Sequence, residues 1–334
     1  MVPSTPPQAA TATAQRFGGP APCNPERTLR AALETAPWQR HELRSCADLM
    51  DAARSLGVET QLLRVPAQAS EAQMRSMMSA HFAELDRLLV VAHGPAGGTG
   101  KLHRAARSAG LPVLGAEPQA IATAYDKLLC RQRLSFRNLP VPRSVALSAD
   151  RAASLRALEQ LGWPAVLKPR RGAAGAGVML LGSPRDLDAL ASLEPELLVE
   201  RRMLGREISV VLLDGALLGM AEVTREIGPG GSKLRSVTVP PKLDPIARRG
   251  LANVAVRAAR ELGLDAGPTC VDLILSPRDN EVILEVEPLP PVHRDSLVAR
   301  VARAEGLSYP ELFARVFSGP RAPRASQGSR PRAR

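Results

Sequence analysis

Between residues 58 and 114, apolar runs of strand length alternate with stretches of helical periodicity. The spacing predicts strands over 58–65, 87–92 and 112–114, with helices over 70–82 and 101–109 between them. A chain that alternates in this way folds into a parallel sheet covered by helices on both faces. Such sheets bind ligands beyond the carboxyl ends of their strands. The second strand runs directly into His93-Gly94-Pro95-Ala96-Gly97-Gly98-Thr99-Gly100, a turn well placed for binding.

The pattern changes after residue 120. A helix over 124–137 carries Asp126 and Lys127, and Pro140 and Pro142 break the chain before a strand over 144–147. After a helix over 151–161, the apolar strand Ala165-Val166-Leu167-Lys168-Pro169 opens a glycine-rich loop that ends at Gly177 and continues as a strand over 178–181. A short strand over 197–200 closes this unit. Beyond it, hairpins are predicted around Asp214-Gly215 and around residues 277–280. A long amphipathic helix over 245–262 lies between them, and helices over 296–305 and 309–317 end the ordered part. The organisation read from the sequence is a disordered segment 1–24, an α/β unit 25–120 whose first part is helical, a small α+β unit 121–204, an antiparallel unit 205–317 and a disordered tail 318–334.

Composition narrows the function. No apolar run approaches the roughly 18 residues of a membrane span, and no charged start followed by an apolar stretch marks a signal peptide. Cys23, Cys46, Cys130 and Cys270 are scattered, which speaks against a zinc site or a disulfide framework and fits a cytoplasmic location. The net charge is +11, and five arginines with no acid lie between Arg321 and Arg334. That tail is either a solvated end or a weak anchor to nucleic acid or an anionic surface. Arginine fills nearly every basic position, so the five lysines, Lys101, Lys127, Lys168, Lys233 and Lys242, stand out. A compact ammonium suits a phosphate oxygen as a point charge.

Two segments carry chemistry. The Gly/Ala loop after Lys168 lets backbone N–H groups approach phosphate oxygens. It matches neither a P-loop nor a dinucleotide turn, and fits a flap over phosphates or an ordinary hairpin loop. In the last hairpin, Glu285 and Glu287 share a strand face, and symmetric folding sets Asp272 opposite Glu285. Three carboxylates in apolar surroundings repel one another unless a cation sits among them, which points to a metal site; a solvated acidic face is the alternative.

Taken in order, His93-Gly94, Asp126-Lys127, Lys168-Pro169 through Gly177-Val178, Glu200, Gly205, Glu207, Leu284-Glu285-Val286-Glu287-Pro288, Asp295-Ser296-Leu297 and Glu305-Gly306-Leu307 resemble the ATP-grasp superfamily, and within it the D-alanine–D-alanine ligases. The resemblance implies an ATP-grasp fold with ATP between the last two units, and a ligase that joins a carboxylate to an amine through an acyl phosphate. A non-catalytic ATP-binding scaffold with a regulatory role is the second reading. It further implies that Lys127, Lys168, Gly175, Gly177, Glu200 and Glu207 hold ATP, that Asp272, Glu285 and Glu287 hold Mg²⁺ (or Mn²⁺), and that Lys233 and Ser296 take part in catalysis. Partners are then small-molecule acids and amines, amino acids foremost, and a homodimer is a further expectation. The departures lie on the substrate side. The family's opening Gly-Gly-x-Ser-x-Glu-type turn is not readable, the nearest segment being Gln39-Arg40-His41-Glu42-Leu43. Gly98 and Thr99 replace an acid pair, Ala174 and Gly175 the flap serines, Cys270 an arginine, Glu287 an asparagine and Pro291 a glycine.

Overall fold

The computed structural model describes residues 9–15, 30–34 and 39–318, except 67, 82–84, 148–149, 173–174, 184–185, 187–196, 229–230 and 279. Three sheets organise the described residues. The first has the order β2-β3-β1-β4-β5, with β1 at Ala9–Gln15, β2 at Arg30–Glu34, β3 at Gln61–Pro66, β4 at Arg87–Val90 and β5 at Val113–Leu114. Helices α1 (Gln39–Ser55), α2 (Glu71–His81), α3 (Gly94–Gly98) and α4 (Lys101–Ser108) connect and cover it.

This sheet corrects two expectations. It is mixed rather than parallel: β2–β3 and β4–β5 run parallel, but β1 pairs antiparallel with β2, β3 and β4. Residues 9–15 were expected to be disordered, yet Ala-Ala-Thr-Ala-Thr-Ala-Gln alternates β-branched and small side chains with period two, the pattern of a strand. The helical reading of 25–57 likewise fails at β2, and α1 starts only at Gln39. The rest of 1–24 and the arginine-rich tail lie outside the described residues.

The second sheet, β6-β9-β7-β8, contains β6 (Ser144–Ala146), β7 (Ala165–Pro169), β8 (Met179–Leu181) and β9 (Leu197–Arg201). The predicted helix over 124–137 is two helices, α5 (Pro118–Tyr125) and α6 (Lys127–Phe136), which part at Asp126. Asp126 takes extended backbone geometry and caps α6, its carboxylate accepting from the Leu128 and Leu129 amides at 3.2 Å. Helix α7 (Arg151–Glu159) packs against β6.

The third sheet is antiparallel, β12-β11-β10-β13-β14: β10 (Arg206–Leu213), β11 (Ala216–Gly228), β12 (Gly231–Thr238), β13 (Pro268–Leu275) and β14 (Glu281–Glu287). Helix α8 (Pro245–Leu262) lies on it, and α9 (Leu297–Ala304) and α10 (Tyr309–Ser318) close the fold. One core joins Leu49 of α1 and Leu89 of β4 to Val211, Val301, Phe313 and Phe317, so the first and last parts of the chain share an interior. Phe313 lies between Tyr309 and Phe317, with ring centroids 4.5 and 5.6 Å away. Phe313→Ala should therefore lower unfolding free energy by about 3–5 kcal/mol, measured by denaturant titration. A loss under about 1 kcal/mol would show that this junction does not carry the fold.

Candidate active site

Helix α6 delivers two cations from one face. Lys127 is its first residue and Arg131 lies one turn on, the i, i+4 spacing that stacks side chains. The Lys127 ammonium donates to the Gly172 carbonyl at 2.7 Å and meets Glu285 Oε1 at 2.9 Å. Arg131 Nε donates to Glu200 Oε1 at 2.8 Å, and its Nη2 reaches the Leu284 carbonyl. From β7, Lys168 Nζ meets Glu200 Oε2 at 2.5 Å. The Arg131 and Glu200 side chains are each 4% exposed, so this is a buried, doubly paired carboxylate. Burial opposes the charge on Glu200, but Arg131 and Lys168 outweigh it and hold its pKa below the usual range. Desolvation is the larger influence on Lys168 and lowers its pKa.

The last hairpin pairs as the sequence reading requires: Asp272 lies opposite Glu285, and Cys270 opposite Glu287. A β-bulge between Asp272 and Leu273 shifts the register there. Burial disfavours ionisation of Glu285, yet Lys127, Lys168 and Arg131 bring its pKa down to about 2. At Glu287 only Lys127 of these cations acts, and more weakly than the main influences that oppose it. Burial and the Glu285 charge push it up to about 8, although the Leu289 amide donates to it at 3.0 Å. Asp272 accepts from the Ser209 hydroxyl, and burial raises its pKa as well. The expected mutual repulsion therefore falls on Glu287 and Asp272, while Lys127 serves as the cation for Glu285. Among the described residues no three His, Cys, Asp or Glu side chains are grouped to hold a metal ion by themselves.

Glu207 lies on the same face of β10 and accepts from Arg225 Nε at 2.7 Å. Gly175 and Gly177 both take positive φ, +72° and +69°, in the turn before β8. The Gly175 carbonyl accepts from the Ser232 amide at 2.9 Å, and a Cβ on Gly175 would lie 2.5 Å from the Ser232 carbonyl oxygen. The flap is thus tied to β12 by a contact that only glycine allows. Two of the expected residues stand outside this network. Lys233 is exposed on β12 opposite Glu226. Ser296 caps α9, accepting from the Ala299 amide at 3.2 Å. Sequence reading missed Arg131 and Arg225; the first was legible as the i+4 partner of Lys127, the second as the i+2 neighbour of Val223, which pairs with Glu207. A hollow of about 400 Å³ bordered by Asp214, Leu217 and Arg315 contains none of these residues.

On the substrate side, Glu42 from the first turn of α1 is fully buried and accepts from the His93 amide at 2.6 Å. The segment around residue 42 thus supplies an acid beside the His-Gly turn. Gly98 packs face-on against the Tyr125 ring, which leaves no room for any side chain there. Cys270 is buried, and desolvation raises its thiol pKa well above the usual value.

A glycine flap over a buried lysine–acid network, set between a small sheet and a larger antiparallel one, is the ATP-grasp architecture. The comparisons agree. Residues 137–318 match the family description "D-ala D-ala ligase C-terminus". The chain is 30% identical to the D-alanine–D-alanine ligase of Gloeobacter violaceus, over 70% of this chain and 81% of that one. It is 31% identical to that of an Anaeromyxobacter species, over 83% and 91%. The D-alanine–D-alanine ligase of Bacillus anthracis complexed with ATP superposes with a TM-score of 0.70 at 18% identity, covering 85% of this chain and 93% of that one. The protein belongs to the D-alanine–D-alanine ligase family. It is an ATP-dependent, C–N bond-forming ligase of the ATP-grasp type.

The electrostatics give a paired expectation for the ligand-free protein. At pH 7, Glu285→Gln should lower stability by about 1–2 kcal/mol. It leaves Lys127 without its carboxylate, but Glu285 is 35% exposed, so the loss is smaller than for a fully buried pair. Glu287→Gln should raise stability instead. Native Glu287 keeps its proton up to about pH 8 while the unfolded chain loses it near 4.5, so it destabilises the fold increasingly as pH rises across that window. Its variant should match wild type below pH 4.5. Melting temperatures from pH 4 to 8 decide this, and equal shifts for both variants would refute the assignment.

Proposed function

We propose that this protein joins an amino-acid carboxylate to an amine, with Mg-ATP held in the cleft between units 121–204 and 205–317. The observation that carries the reading is Lys127, which bridges the flap carbonyl of Gly172 and the acid Glu285 of the opposite sheet. When bound, Mg-ATP supplies the γ-phosphoryl group that activates the carboxylate as an acyl phosphate for attack by the amine. Lys127 and Lys168 would bind phosphate oxygens, the amides around Gly175 and Gly177 would cover them, Glu200 would face the adenine edge and Glu207 the ribose hydroxyls. Lys233 and Ser296 are proposed to act on the transferring phosphate and the substrate carboxylate. Asp272, Glu285 and Glu287 would hold one or two Mg²⁺ (or Mn²⁺). Mg²⁺ takes one or two carboxylates together with phosphate oxygens and water, so Glu287 and Asp272, whose pKa values stay raised despite Lys127 and Arg225, fit it.

The amino-acid subsite departs from the pattern that the resemblance implies. Tyr125 closes the position beside Gly98, Cys270 brings no positive charge, and Pro291 has no N–H to donate to an oxyanion. We therefore propose a substrate pair other than two D-alanines. Among the described residues no helix is long and apolar enough to cross a membrane, and Cys46, Cys130 and Cys270 are free thiols, which supports a cytoplasmic location. A homodimer and a weak anionic-surface contact through the tail remain proposals from the sequence.

Saturating Mg-ATP, near 100 times Kd, should stabilise the protein by about 2.7 kcal/mol in thermal melts. An ADP-release screen over amino-acid pairs should then give low turnover with D-alanine alone and higher turnover with another pair. Efficient D-alanyl-D-alanine formation would overturn the substrate proposal, and a melting temperature indifferent to Mg-ATP would overturn the nucleotide site itself.

A further inference from the structure

The acid-bearing face of the third sheet carries one arginine that none of the roles above uses. Paired residues in an antiparallel ladder point to the same side, and so do residues two apart on one strand. Glu207 pairs with Val223, and Ser209 with both Ala221 and Asp272. Arg225, two residues beyond Val223, therefore projects from the face of Glu207, Asp272 and Glu285. A β-bulge between Thr224 and Arg225 interrupts the β11–β12 ladder at this point. Bulges re-aim side chains, and another bulge of this sheet lies beside Asp272.

The contacts of Arg225 differ from those of an ordinary surface pair on the same strands. On the opposite face, Arg206 grips Glu222 with two bonds at 2.9 and 2.8 Å. Arg225 instead divides itself between two acids from different strands. Its Nε donates to Glu207 at 2.7 Å, while Nη2 stands 3.7 Å from Asp272, beyond hydrogen-bond distance. Among the described residues only its Nε–H is hydrogen-bonded, and its side chain is 32% exposed. The rest of the donor fork is thus held beside the cleft without a matching acceptor, and a planar fork of N–H groups suits phosphate oxygens.

We propose that Arg225 is a phosphate-binding residue of the nucleotide site, its ligand being the polyphosphate of a nucleoside di- or triphosphate. This rests on the proposed roles of Glu207 at the ribose and Asp272 at the metal. A cation touching both acids runs alongside the stretch of nucleotide between its ribose and its metal-bound end, which is the phosphate chain. In the ligand-free protein, Arg225 neutralises the two acids. With nucleotide bound, the ribose hydroxyls and the metal take over Glu207 and Asp272, and the guanidinium turns to the phosphates.

The test is calorimetric titration of the full-length protein with ADP, with the non-hydrolysable analogue AMP-PNP and with adenosine, all in Mg²⁺. Arg225→Met should weaken ADP and AMP-PNP roughly ten- to hundredfold and leave adenosine unchanged, since a charge-assisted bond of this kind is worth one to two decades of affinity. Arg225→Lys should recover part of the loss. If the methionine variant does not fold, Arg225→Gln, which keeps a donor for Glu207, carries the same expectation. An equal fall for adenosine would mean that Arg225 only steadies Glu207, and would overturn the proposal. Unchanged or tighter ADP binding would do the same, by showing a counter-ion that the nucleotide displaces. If wild type binds none of the three, the nucleotide site falls and this inference with it. If wild type binds ADP, the difference between wild type and variant bears on Arg225 alone.

Discussion

The site depends on one requirement, that a charge removed from water must meet an opposite charge. Glu200, Arg131 and Lys168 satisfy it within the small sheet and α6, and Lys127 with Glu285 satisfies it between α6 and the large sheet. Lys127 and Arg131 leave the same helix face four residues apart, so α6 ties the two sheets together. Asp126 anchors the start of that helix by capping it and by pairing with Arg170 and Arg171 of the flap strand's end, at 2.8 and 3.1 Å. The start of α6, the flap strand's end and the large sheet thus meet at one short segment, 126–131.

Electrostatic asymmetry inside the acid cluster follows from the same geometry. Glu285 and Glu287 are two residues apart on one strand, yet one is held near 2 and the other near 8, because Lys127, Lys168 and Arg131 all act on the first, while burial and the Glu285 charge outweigh Lys127 at the second. The protein's own cations therefore neutralise Glu285, and they leave Glu287 protonated up to about pH 8.

The junction of α1 with the rest of the fold is built differently from the Lys127–Glu285 network. Glu42 and His93 meet at the junction of α1 and β4, and α1 is tied to the loop after β14 by His41–His293 at 3.2 Å, Arg44–Asp295 at 2.5 Å and the bond from the Arg294 amide to Asp48 at 2.8 Å. This polar seam sets the first sheet against the third. The Tyr125 ring against Gly98 shows that the missing side chain is a packed replacement and not a vacancy.

Local pattern alone determined most strands and helices after residue 57, though neither α3 nor β12, together with the glycine-rich loop and the pairing of Asp272 with Glu285, because period, turn chemistry and hairpin symmetry are properties of neighbouring residues. It did not reveal strand β1, whose Ala/Thr alternation is weak without partners, nor the break of the 124–137 helix at Asp126, which is fixed by Arg170 and Arg171 from over 40 residues away. Nor could it assign the partners of the charges. Lys127 meets Glu285 across more than 150 residues of chain, and Arg131 meets Glu200 across 69. Which ammonium neutralises which carboxylate, and hence which acid remains for a metal, is a question of distance in space, and only the tertiary structure sets those distances.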